Sequence, residues 1–124
     1  MSQLLFIAAG GALGAVMRFM VSNAVYSVAG RDFPYGTLAV NVLGSLLMGA
    51  LYVLLVERLT DAIEWRAFLL IGVLGAFTTF STFSMETVAL LEGGEPFRAL
   101  MNILLSVTDF VLARGVAVVA VRQL

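Results

Sequence analysis

Polar positions fall in three short clusters along this chain, and between them run four apolar stretches. The first stretch extends from Leu4 to about Val28 and is followed by Gly30, Arg31, Asp32, Phe33, Pro34, Tyr35 and Gly36. That cluster mixes charges with turn formers, and Pro34 cannot continue a helix. The second stretch, about Thr37 to Val56, ends at Glu57, Arg58, Asp61 and Glu64. Trp65 is placed as an interfacial anchor that opens the third, which closes at Glu92, Gly93, Gly94, Glu95 and Pro96. Phe97 to about Val121 forms the fourth. A helix needs about 20 apolar residues to cross a bilayer. The pattern therefore predicts an all-α membrane protein with four transmembrane helices, at about 4–28, 37–56, 65–91 and 97–121. Residues 1–124 then form a single membrane domain. The first stretch lacks the basic flank and small-residue cleavage site of a secretory signal, so it is read as a retained span.

Composition strengthens this reading. Of 124 residues, 61% are hydrophobic and only 12% are charged, against about 25% charged in a soluble domain. The mean hydropathy is +1.05. With no Cys and no His, disulfides, thiolate metal sites and the commonest general base are all missing, which argues against an enzyme. The formal net charge is -1, and every one of the seven basic residues is Arg. No basic patch for nucleic acid follows from that balance.

The arginines also bear on orientation. Four crossings put both ends on one side with Arg58, Arg66 and Arg122, and leave Arg31 and Arg98 on the other. A bias of three to two is nearly none under the positive-inside rule. Insertion in both orientations, and an antiparallel dimer, would follow from it.

Three constellations stand out inside the spans. Gly10, Gly14 and Arg18 share one face of the first helix, where small residues suit close helix packing. Arg18 lies deep enough to need protein or water around it; it either snorkels and pairs with carbonyls or attracts anions. Thr37, Asn41 and Ser45 form a polar stripe on the second helix. Such a stripe is either interhelical hydrogen bonding, worth about 0.6 kcal/mol per bond on average, or the lining of a pathway. The third span is the unusual one, with five hydroxyls at Thr78, Thr79, Ser81, Thr82 and Ser84 interleaved with Phe77, Phe80 and Phe83. Hydroxyls compete for backbone hydrogen bonds, so this run is a plausible place for the helix to open. Open backbone at that depth needs protein or a watery cavity beside it. Aromatic rings at helical spacing often serve packing alone. Here their positive edges, set beside O–H donors, offer a lining that could hold a small anion without a full charge.

The run Gly75-Ala76-Phe77-Thr78-Thr79-Phe80-Ser81-Thr82-Phe83-Ser84, with Gly14-x-x-x-Arg18 and Gly36-Thr37-Leu38-x-Val40-Asn41, strongly resembles the Fluc family of fluoride channels, also called CrcB proteins. The resemblance covers nearly the whole chain. It implies four spans with the third helix broken mid-membrane, assembled as an antiparallel dual-topology homodimer in a bacterial inner membrane. It further implies two pores that export fluoride passively and lower its cytoplasmic concentration. Pore-lining roles fall on Phe80, Phe83 and Asn41, with Ser81 and Thr82 on a polar track. A structural sodium ion at the dimer interface would be held by the backbone carbonyls of Gly75 and Thr78. Arg18 matches the family's first-span arginine, a vestibule or structural residue.

The fourth span departs from the family pattern. Asn102, Ser106 and Asp109 share a face, which extends a polar track in principle and makes Ser106 a further candidate for the pore. Asp109 would repel fluoride from such a face, and Arg114 is five residues away, a poor spacing for an intrahelical pair. Glu86, just past the hydroxyl run, reads as a hydrogen-bonded position near a vestibule. Two other functions compete. A small multidrug-type transporter would want an acid in the first span, and there is none. A non-transporting membrane scaffold would tolerate other large apolar residues at Phe80 and Phe83.

Overall fold

The computed structural model describes residues 2–59 and 61–124, and these are helical almost throughout. Helix α1 spans Ser2–Ala29 and α2 spans Tyr35–Tyr52, the latter continuing as a π-helical turn over Val53–Arg58. The third crossing is assembled from pieces. A short α3, Ile63–Trp65, runs into a π-helical segment Arg66–Leu74 and then α4, Gly75–Phe77. Thr78 and Thr79 are extended, with ψ of 154° and 122°, before α5 begins at Phe80 and runs to Glu92. Helix α6 spans Pro96–Arg122. Four helical stretches, Ser2–Ala29, Tyr35–Arg58, Ile63–Glu92 and Pro96–Arg122, are long and apolar enough to cross a membrane.

Turn chemistry explains the first and last connections. Gly30 (φ 86°) and Gly94 (φ 76°) both adopt left-handed backbone that other residues resist. Pro96 then opens α6 at a position where its missing N–H costs nothing.

Small residues bring the helices together. Only Gly10 and Gly14 are buried on α1, which crosses the Arg66–Leu74 segment there. A Cβ on Gly10 would strike the Phe68 carbonyl, and one on Gly14 the Val73 carbonyl. Across the same contact, a Cβ on Gly72 would meet the Ile7 carbonyl at 2.9 Å. Helix α2 lies against α6, and a Cβ on Gly49 would come within 2.5 Å of the Arg114 carbonyl. Backbone contact of this kind lets helices associate by van der Waals packing where lipid offers no hydrophobic drive. Outward-facing side chains are accordingly large and apolar, among them Leu5, Phe19, Val28, Ile71, Val111 and Leu112.

Polar bonds tie each end of the bundle. At the end carrying both termini, Arg58 donates to the Val121 and Arg122 carbonyls at 2.8 and 3.1 Å, and Arg122 pairs with Glu57. At the opposite end, Arg98 donates to the Asp32 carbonyl at 3.0 Å and pairs with Glu95.

Candidate functional site

The polar stripe of α2 meets a different partner at each depth. Thr37, near the start of the helix, donates through Oγ1 to Glu86 Oε1 of α5. Tyr26 of α1 donates to the other carboxylate oxygen at 2.6 Å. Glu86 is therefore the acceptor that joins three helices, and one face of it borders a cavity of about 220 Å³ with Tyr26, Arg31 and Asp32. The Arg31 guanidinium lies 4.7 Å from the Tyr26 ring centre, so a cation stands beside this carboxylate cluster.

One turn further along, Asn41 addresses the two extended residues. Its Nδ2 donates to the Thr79 carbonyl at 2.9 Å, while its Oδ1 accepts the Thr79 N–H at 2.7 Å. Both backbone groups of Thr79 are thus satisfied by one carboxamide from another span. Thr79 in turn caps α5, its Oγ1 accepting the Thr82 N–H at 3.2 Å. Among the helical bonds that this arrangement displaces are two whose donors find new partners. In a continuous helix the Thr79 N–H would serve the Gly75 carbonyl and the Thr82 N–H the Thr78 carbonyl. Here both donors are engaged elsewhere.

Gly44 and Ser45 follow on α2. A Cβ on Gly44 would collide with the Thr78 Cγ2, so glycine is what admits the extended pair against this helix. Asn41, Ser45, Thr79, Phe80 and Arg114 line a common cavity of about 260 Å³.

The two phenylalanines of the hydroxyl run occupy different environments. Phe80 is 78% exposed at the rim of that cavity, whereas Phe83 is 8% exposed and packed inside the protomer. Their ring centres are 5.6 Å apart at an interplanar angle of 42°. Ser81 is exposed, with its Oγ 3.4 Å from Thr79 Oγ1. Thr82 is half-buried and borders a smaller cavity of about 150 Å³ with Arg18, Thr37 and Thr79. The Nε of Arg18 is buried there without a hydrogen-bond partner among the described residues.

Ser106 lies apart from the Phe80 cavity. It is buried and donates to Asn102 Oδ1 over a long 3.4 Å, while Asn102 Nδ2 donates to Thr87 Oγ1 at 2.9 Å. Thr87 passes the chain on to the Phe83 carbonyl at 2.8 Å. This buried thread joins α6 to α5 directly behind Phe83. Asp109 shares its helix face but joins none of these bonds. Gly75 is exposed, and Thr78 is half-buried with its hydroxyl returned to the Leu74 carbonyl at 3.0 Å.

Sequence reasoning did not single out Tyr26 or Thr87. Neither belongs to a motif of its own, and the importance of each comes from the residue facing it. The signal available for Tyr26 was its position near the end of α1, four residues after Ser22 on the same face.

The family profile described as "CrcB-like protein, Camphor Resistance (CrcB)" matches residues 5–120. A protein of Methylococcus capsulatus named fluoride-specific ion channel FluC is 54% identical over 122 residues, which is 98% of this chain. The chain spans 54% of that relative's length. Proteins with the same name from Magnetococcus marinus and Geobacter sulfurreducens match over nearly their whole lengths. The first is 50% identical over 97% of this chain and 98% of its own, the second 47% identical over 100% of both. With the profile and these relatives matching along all four helices, the chain belongs to the CrcB-like family and is a multi-pass membrane protein.

Proposed function

We propose that this chain forms a fluoride-selective ion channel, not an enzyme, and that it lets fluoride leave the cytoplasm of a bacterial cell passively across the inner membrane. The observation that carries this reading is the exposed Phe80 ring standing beside Asn41, Ser45 and Thr79 at an opening in the third crossing. The names of the relatives agree with it. An anion entering the cavity exchanges part of its water shell for the positive edge of Phe80 and, further along the run, for hydroxyl donors of Ser81 and Thr82. Asn41 acts chiefly by holding Thr79 in place; one of its two Nδ2 hydrogens is committed to the Thr79 carbonyl, which leaves one for an ion. At Phe80 and the hydroxyls no contact carries a full charge, so fluoride is held there weakly enough to leave again. Inside-negative voltage then drives it outward without another energy source.

The functional unit in this reading is an antiparallel dual-topology homodimer with two pores, and the opening at Thr78–Thr79 lies mid-membrane. Support comes from the exposure of Phe80 and Gly75 in a single copy, surfaces that a second copy would cover. A sodium ion between the copies fits the same region. The Gly75 and Thr78 carbonyls are among those that lose their helical donors at the break, and hard carbonyl oxygens suit a hard cation. Such an ion would supply a fixed positive charge that holds the two openings together.

The test is fluoride efflux from liposomes containing the purified protein, with chloride-loaded liposomes and a Phe80→Ile variant in parallel. Fluoride should leave wild-type vesicles, chloride should stay, and the variant should stop the flux. Folded wild-type dimers that release no fluoride would overturn the proposal. A Phe80→Ile channel as fast as wild type would instead remove the ring from the pathway.

A further inference from the structure

Arg114 is a cation at membrane depth that belongs to none of the ion pairs among the described residues. It lies eight residues before Arg122, the end of α6, which is about 12 Å along the helix axis at 1.5 Å per residue. Charged side chains at such depth are rare and costly, and they face protein, water or a partner of opposite charge. Arg114 is exposed, and two contacts place it. Gly49 lets the α2 backbone press against the Arg114 carbonyl, and the guanidinium lies 5.5 Å from the centre of the Tyr52 ring. Its side chain borders the cavity of about 260 Å³ that also contains Asn41, Ser45, Thr79 and Phe80. Glu57, the acid at this end of α2, is already engaged by Arg122. Asp109, on the same helix, is not part of the cavity lining.

We propose that Arg114 is an anion-binding residue of this cavity. Its guanidinium holds a small inorganic anion, fluoride or chloride, at the mouth nearer the chain termini, before the anion reaches Thr79 and Phe80. Tyr52 steadies the guanidinium plane and shields one face of it, leaving its edge N–H groups for the anion. A fixed charge lining a cavity concentrates counter-ions, and it also slows their departure. This inference rests on the channel reading for its transport consequence and on the cavity geometry alone for binding.

Two measurements test it on full-length protein, with wild type, Arg114→Gln and Arg114→Lys compared after their helix content and dimer elution are matched. The first is the initial fluoride efflux rate against fluoride concentration in phosphatidylcholine vesicles. Arg114→Gln should raise the half-saturating concentration about tenfold, while Arg114→Lys should stay near wild type. The second is broadening of the chloride NMR line by detergent-solubilised protein, which needs no transport. Broadening should fall in Arg114→Gln and persist in Arg114→Lys. Unchanged half-saturation and unchanged broadening in Arg114→Gln would overturn the proposal. So would an effect seen only in vesicles containing phosphatidylglycerol, which would assign the guanidinium to a lipid phosphate. Loss of dimers in Arg114→Gln alone would assign it to a carboxylate of the second copy and likewise overturn it. If wild type passes no fluoride yet broadens chloride through Arg114, the channel reading fails and the anion site stands.

Discussion

Replacing Asn41 with alanine tests whether the opening in the third crossing is held by one side chain. Asn41 supplies a donor and an acceptor to the two backbone groups of Thr79, at 2.9 and 2.7 Å. Its removal leaves the half-buried Thr79 N–H without a partner, costing about 1–3 kcal/mol, while the Thr79 carbonyl keeps the intrahelical bond that an N-cap residue accepts. Thr79 also borders the cavity near Phe80, so water can reach part of the deficit. That places the expected loss toward the lower end, about 1–2 kcal/mol. Asn41→Asp should fall between, because it keeps an acceptor for the Thr79 N–H but sets an oxygen against the Thr79 carbonyl. The measurement is reversible unfolding in mixed micelles followed by circular dichroism, with fluoride efflux alongside. An ordinary interhelical bond in a bilayer is worth about 0.6 kcal/mol. If Asn41→Ala costs no more than that while abolishing flux, Asn41 acts on the ion and not on the backbone, and the reasoning fails.

Other outcomes follow from the same geometry. Gly14→Ala should disrupt assembly, because its Cβ meets the rigid Val73 carbonyl, whereas Gly11→Ala has nothing within 4 Å and should be tolerated; protease resistance in detergent separates them. Glu86→Leu removes the shared acceptor of Tyr26 and Thr37 and should lower stability by about 2 kcal/mol. Glu86→Gln retains an oxygen for one of them and should cost less in the same unfolding assay. Asn102→Leu should cost only about 1 kcal/mol, since Thr87 keeps its bond to the Phe83 carbonyl. A larger loss would mean that the thread behind Phe83 positions the ring.

Much of the architecture was legible because hydrophobic length is a direct reading of bilayer thickness. The four apolar stretches, punctuated by Pro34, the Gly93-Gly94 pair and Pro96, correspond to the four helices that can cross. The hydroxyl run drew attention to the region where Thr78 and Thr79 are extended, but hydroxyls alone do not choose which residues leave the helix. Asn41 and Gly44 do, from another span, by offering a carboxamide and a gap at one height. The stripe of Thr37, Asn41 and Ser45 was visible as a pattern, while its bonded partners Glu86 and Thr79, and Arg114 on the shared cavity, lie far away in the chain. Phe80 and Phe83 looked alike at three-residue spacing, yet one faces outward and the other inward. Such distinctions depend on helix rotation and crossing, which periodicity does not report.

The dependence of Thr79 on Asn41 has a consequence for biogenesis. While the third segment is alone in hydrocarbon, nothing satisfies the Thr79 N–H and C=O except the neighbouring turns of its own helix. Its lowest-energy form at that stage is an uninterrupted helix. Only after α2 has docked does Asn41 make the extended form competitive, by offering the Thr79 N–H and C=O two bonds across the interface. The opening is therefore a product of helix association and not of insertion. In a newly made chain the extended pair would form only once the second and third crossings have found each other, so the order in which hydrogen bonds become available sets when the segment opens.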